Sequence, residues 1–190
     1  MEKIIHKNKA RAKKMMLWFG MISMTMTFAG LTSAYVVSSS RADWLKSFEL
    51  PEVFLYSTVL ILLSSVSFFL GRKSLDQGKI TVLKMFLWIT LGLTSGFIYF
   101  QFTGFSEIIA QGYYFTGAAS SITTSFIYVL VLLHLTHVFA GLIVLLIVIF
   151  QTYSHAYAPD QKLGFELAEL FWHFLDFLWI YLYVFVSVFS

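Results

Sequence analysis

Glu166, Glu169, His173 and Asp176 stand at spacings of three, four and three in the last apolar stretch of this 190-residue chain. Those spacings place all four on one face of an α-helix. At ~1.5 Å rise per residue the set spans roughly 15 Å, about half the thickness of a hydrocarbon core. Carboxyls and an imidazole at that depth point to one of two chemistries. Either they pass a proton or a charged substrate along the helix, or they bind one another and their neighbours and hold helices together. Glu169–His173 and His173–Asp176 are spaced to pair within the helix itself, and Glu166 is near enough to the segment's start to reach the headgroup layer. We favour the packing role, with His173 as a hub bonded within its own helix or to the preceding one, and not as a titrating proton carrier.

A second cluster lies upstream. His134 and His137 are one turn apart on the preceding apolar run, which raises metal or haem ligation. No acid accompanies them on their own helix, whereas zinc and copper sites need three or four converging donors and bis-histidine haem sites need opposed imidazoles. Interhelical hydrogen bonding is therefore the preferred reading for His134 and His137. Gly141, one turn further on, suits a close approach by a neighbouring helix, and Trp172 and Trp179 suit packing.

The elements that carry these residues follow from hydropathy. Hydrophobic residues make up 58% of the chain and charged residues 12%, with a mean hydropathy of +0.78. Soluble domains carry about 25% charged residues, so the expected fold is an all-α integral membrane protein. A single membrane domain over 1–190 has a basic tail at 1–14 and transmembrane helices near 15–38, 53–71, 84–103, 122–151 and 166–189. The first apolar run is too long for the core of a signal peptide. Lys3, Lys7, Lys9, Arg11, Lys13 and Lys14 precede helix one; Arg72, Lys73, Lys79 and Lys84 join helices two and three; Lys162 lies in the last loop. Only Arg41 and Lys46 fall on the other side. The positive-inside rule then puts the N-terminus in the cytoplasm and the C-terminus outside. The pI near 9.0 suits a basic tail at anionic headgroups and calls for no nucleic acid.

With no cysteine in the chain, disulfides, thiolate ligands and redox thiols are excluded. Glycine loops for phosphate and nucleophile elbows are absent. Tyr99, Gln101 and Glu107 read as a solvated helix end. Ser23, Thr25, Thr27, Thr32 and Ser33 read as hydroxyls bonded to carbonyls one turn back.

The run GFELAELFWHFLDFLWIYLY at 164–183 resembles the last helix of the cytochrome c oxidase subunit III family, whose pattern is roughly GFE…WHFxDxxW. HLTHVFAGL, from His134 to Leu142, resembles that family's HxxHVxxG motif. LPEVFLYSTVLILLSSVSFFLGRKSLDQG at 50–78 resembles an earlier helix with its basic loop, so the similarity covers most of the chain from about Trp18 onward.

The resemblance implies a non-redox subunit of a proton-pumping haem–copper terminal oxidase in the aerobic respiratory chain of a bacterial plasma membrane. It implies haems and copper in partner subunits and no cofactor, metal or catalytic residue in this chain. It also implies docking on subunit I, with subunit II nearby, and bound phospholipid. Five histidines and no cysteine agree, because the other two core subunits need more histidines or a cysteine pair. Subunit III of a quinol oxidase and a stand-alone small transporter are the alternatives. Two features depart from the family. Its long form has seven helices and a lipid-filled cleft, and Met24 stands where many members carry a glutamate.

Overall fold

The computed structural model describes residues 2–41, 44–45, 50–115, 121–154, 157 and 162–189, with side chains from Asn8 onward. Five helices follow in order: α1 (Glu2–Ser38), α2 (Val53–Asp76), α3 (Ile80–Ala110), α4 (Ile122–Tyr153) and α5 (Leu163–Phe189). All five are long and apolar enough to cross a membrane. Backbone groups in hydrocarbon must be satisfied within the segment, and continuous helices meet that demand. Pro51 falls just before α2 and interrupts no helix.

The helices run further than hydropathy alone suggests. α1 begins at Glu2 and takes in the basic tail expected at 1–14. The tail has no glycine or proline, and an already formed helix gains one hydrogen bond for each residue added, so it propagates into the polar segment. Lys46 and residues 155–156 and 158–161 lie outside the described residues.

The α2–α3 hairpin is closed by three residues. Gly78 has φ +71°, and the amides of Gly78 and Lys79 donate to Leu75 O at 3.0 Å and Ser74 O at 2.9 Å. This is a Schellman end, in which the left-handed residue favours glycine. α4 opens with a reciprocal cap between Ser121 and Thr124, which satisfies two amides that would otherwise be orphaned.

α4 and α5 form the centre. Among the described residues α1 packs on these two helices alone, while α2 joins α3 on one side and α5 on the other, and α3 also meets α4. Small residues allow the close approaches: a Cβ at Gly104 would lie 2.7 Å from the Phe54 ring, and one at Gly141 would lie 2.8 Å from Leu175 Cδ1. One core gathers around Phe54, Phe97 and Trp179, and another around Phe68, Phe165 and Trp172. Phe28 anchors α1 against Leu130, Leu178 and Leu182. Met15, Met16, Trp18, Phe19, Ile22 and Met26 stay exposed on α1, as suits a surface bathed in lipid or covered by a partner.

Candidate functional site: a polar ladder between α1, α2 and α5

The acidic stripe does gather on one side of α5, and it meets cations from two other helices. Lys14 Nζ of α1 lies 3.0 Å from Glu166 Oε2. Arg72 of α2 donates to Glu169 Oε2 at 2.7 Å and lies 3.7 Å from Glu166 Oε1. Near the same end, Lys162 pairs with Asp76 at 2.5 Å. Glu166 thus holds two helices to α5 in addition to reaching the bundle's end. The Glu169 side chain is only 4% exposed, so Arg72 supplies the charge that burial demands. From the sequence Arg72 reads only as a loop charge. The missed signal is its place before the end of α2, followed by another turn of helix.

Deeper in the bundle, His173 departs from expectation. Its Nδ1 meets Ser65 Oγ of α2 at 2.5 Å, and its Nε2 lies 3.7 Å from Glu169 Oε1. The partner helix is α2, not α4, because the α5 face bearing the stripe turns toward α2 while Gly141 of α4 meets the Leu175 and Trp172 side. Asp176 is buried, and its Oδ2 has no hydrogen-bond partner among the described residues. Trp172 Nε1 donates to Ser64 Oγ at 3.2 Å, and Trp179 Nε1 donates to Thr58 Oγ1 at 2.9 Å.

Among the described residues, the α4 histidines make no hydrogen bond to another helix. His134 is buried, neither ring nitrogen has a hydrogen-bond partner among the described residues, and its ring sits 5.2 Å from that of Trp179, with Phe97 and Phe28 edge-on. Its surroundings are the rings of Phe28, Phe97 and Trp179. His137 Nδ1 turns back to Leu133 O at 2.7 Å. Among the described residues, no three His, Cys, Asp or Glu side chains gather where a metal could be held.

Gln101 is also corrected. It is fully buried and donates to Ser57 Oγ at 3.0 Å, because α3 continues past it and turns it into α2. Tyr99, by contrast, is exposed. Thr25, Thr27 and Thr32 do bond to carbonyls four residues back, and Thr32 also meets the Tyr181 hydroxyl of α5 at 2.8 Å. In the connection to α5, burial raises the Tyr157 phenol above its ordinary pKa.

Residues 14–190 match the family model described as cytochrome c oxidase subunit III. The chain belongs to that family. The cytochrome bo(3) ubiquinol oxidase subunit 3 of Pseudomonas putida is 31% identical over 166 residues, covering 86% of this chain and 79% of that one. The same-named protein of Buchnera aphidicola from Acyrthosiphon pisum is 30% identical over 186 residues, covering 95% and 89%. The cytochrome c oxidase subunit 3 of Bacillus sp. (strain PS3) is 27% identical over 173 residues, covering 89% and 82%. As a family member the chain is a multi-pass membrane protein and a subunit III of a haem–copper terminal oxidase. In this subunit the ladder sets Glu166 and Glu169 against Lys14 and Arg72 and leaves Asp176 as its inner end.

Proposed function

We propose that this chain is the non-redox subunit III of a bacterial cytochrome c oxidase, docked on subunit I with subunit II nearby. In this reading it binds phospholipid and steadies proton uptake during turnover. It lies in the plasma membrane with the N-terminus and the 72–84 and 155–162 connections in the cytoplasm. One observation carries the reading: Glu166 and Glu169 are consumed by Lys14 and Arg72, which ties three helices together and leaves no converging donor set for a redox centre among them. A quinol oxidase is the second reading, favoured by the 31% and 30% identities to ubiquinol oxidase subunits against 27% for a cytochrome c oxidase subunit.

Affinity purification of the tagged chain, followed by mass spectrometry, is expected to bring down haem-bearing subunits. The identity of the second subunit then separates cytochrome c from quinol as donor. Removing the chain should leave initial electron transfer nearly intact while activity decays faster over repeated turnovers. A chain that purifies alone, or immediate loss of the haem spectrum on its removal, would overturn the proposal. The orientation has its own check: a reporter inserted between Tyr157 and Lys162 should read as cytoplasmic, and a periplasmic signal there would reject the topology.

A further inference from the structure

Between α1 and α2 one face of α5 is open, since those two helices do not pack on each other among the described residues. At the Lys14 end, Phe69 and Arg72 of α2 and Glu166, Glu169, Leu170 and His173 of α5 line a groove of about 240 Å³. That is room for roughly eight waters at about 30 Å³ each. Seven residues separate Glu166 from His173. The rise is roughly 10 Å, enough to run from the headgroup layer to the edge of the hydrocarbon.

The charges here are paired but not saturated. Glu166 Oε1 lies 3.7 Å from Arg72, and Glu169 Oε1 lies 3.7 Å from His173 Nε2. Both distances exceed a hydrogen bond, so each carboxylate keeps one oxygen without a close donor. Lys14 and Arg72 keep spare N–H donors in turn, and their side chains remain partly exposed. Because these two cations already balance Glu166 and Glu169, a ligand of net negative charge gains little. A dipolar group suits both sets, with an ammonium for the carboxylates and an anion for Lys14 and Arg72.

The groove also leads onto an apolar track. Phe69, Val66 and Leu62 are exposed and share one face of α2, and Phe177 is exposed one turn beyond His173 on α5. A dipolar head above an apolar track matches a phospholipid. By contrast, the furrow between α1 and α4 is lined by Leu31, Ser121, Ile122, Ser125, Phe126 and Val129, with no ionisable group.

We propose that the α2/α5 groove seats a glycerophospholipid with a primary-ammonium headgroup, a phosphatidylethanolamine. Its ammonium bridges Glu166 and Glu169, its phosphate meets Lys14 and Arg72, and an acyl chain follows Phe69 and Val66. A choline headgroup has no N–H for the carboxylates, and a glycerol headgroup brings no cation, so both bind less well. This seat rests on the lipid-binding reading above and gives that lipid a place and a headgroup.

The test starts from intact oxidase in nanodiscs of phosphatidylethanolamine, phosphatidylglycerol and phosphatidylcholine in equal parts. After transfer to a detergent that strips loosely held lipid, the retained lipids are counted per haem by mass spectrometry. The Leu170→Trp variant, which fills the groove, is subtracted so that lipid held elsewhere on the oxidase cancels. The difference is expected to be phosphatidylethanolamine, about tenfold over phosphatidylcholine, for the loss of a charge-assisted hydrogen bond. Lys14→Ala should lower it about fivefold, the contribution of one lysine near a lipid surface. No difference between wild type and Leu170→Trp, or equal retention of the three lipids, sinks the proposal. A benzophenone side chain introduced at position 69 adds a local readout: it should attach to phospholipid, and attachment to a partner subunit would show a protein helix in the groove instead. Should Leu170→Trp not assemble, Lys14→Ala and this attachment decide the matter. Loss of the haem spectrum from the purified wild-type sample would reject the oxidase reading itself, whereas haem retained without selective lipid rejects only the seat.

Discussion

Arg72→Ala should release this subunit from its complex. The change strips the 2.7 Å bond from Glu169, whose side chain is 4% exposed, and leaves Glu166 with Lys14 alone. Removing one partner of a buried ion pair costs 3–5 kcal/mol, because the other charge stays buried and unpaired. Arg72 itself is 38% exposed, so water relieves part of the loss and the low end applies, about 3 kcal/mol. That is on the order of a hundredfold in an assembly equilibrium. Arg72→Lys should recover only part, since a point charge does not reach both carboxylates as the guanidinium fork does. The double variant Arg72→Leu with Glu169→Leu should recover more than either single change, because no charge is left stranded. The checks are the fraction of chain copurifying with the oxidase and the midpoint of its thermal dissociation. A single Arg72→Ala variant that matches wild type in both would sink the argument.

Trp179→Ala is the second large effect. The indole is 2% exposed and is enclosed by Phe54, Phe97 and His134 at ring separations of 6.3, 5.3 and 5.2 Å. Large aromatic-to-alanine changes in a core cost 3–5 kcal/mol. In a bilayer the unfolded reference also sits in hydrocarbon, so the loss is mainly of packing, and about 3 kcal/mol is expected. Trp179→Phe keeps most of the ring and loses the N–H to Thr58. The Thr58 hydroxyl retains its own bond to Phe54 O at 2.7 Å, so the second variant should cost only about 1 kcal/mol. Equal destabilisation by Ala and Phe in a thermal-stability assay would mean that the hydrogen bond, and not the packing, holds this site.

The five spans and the shared face of Glu166, Glu169, His173 and Asp176 were legible because both depend on local periodicity and composition. A helix's registry follows from the spacing of its own residues. The helix reaches back through the basic tail at 1–14 because backbone hydrogen bonding continues where hydropathy stops. Gln101 was read as solvated for a related reason. Its neighbours Tyr99 and Glu107 suggested a helix end, and nothing local indicated that α3 would run on to Ala110 and turn this amide onto Ser57.

What remained hidden concerns partners distant in the chain. Arg72 and Glu169 are separated by 97 residues, and no spacing rule links them. The same holds for Ser65 with His173 and for Lys14 with Glu166. A helical stripe specifies which residues share a face but not which helix that face meets, and two apolar helices in lipid are nearly equivalent neighbours by composition. The choice of α2 over α4 for His173 was settled by close packing, with Gly141 admitting the Leu175 and Trp172 side of α5 to α4. By itself the sequence determined a five-span membrane protein with an ionisable stripe on its last helix and the motifs of an oxidase subunit. Only the tertiary structure decided which charges neutralise which, and that Asp176 meets no lysine or arginine among the described residues, because burial and pairing depend on how the helices are rotated against one another.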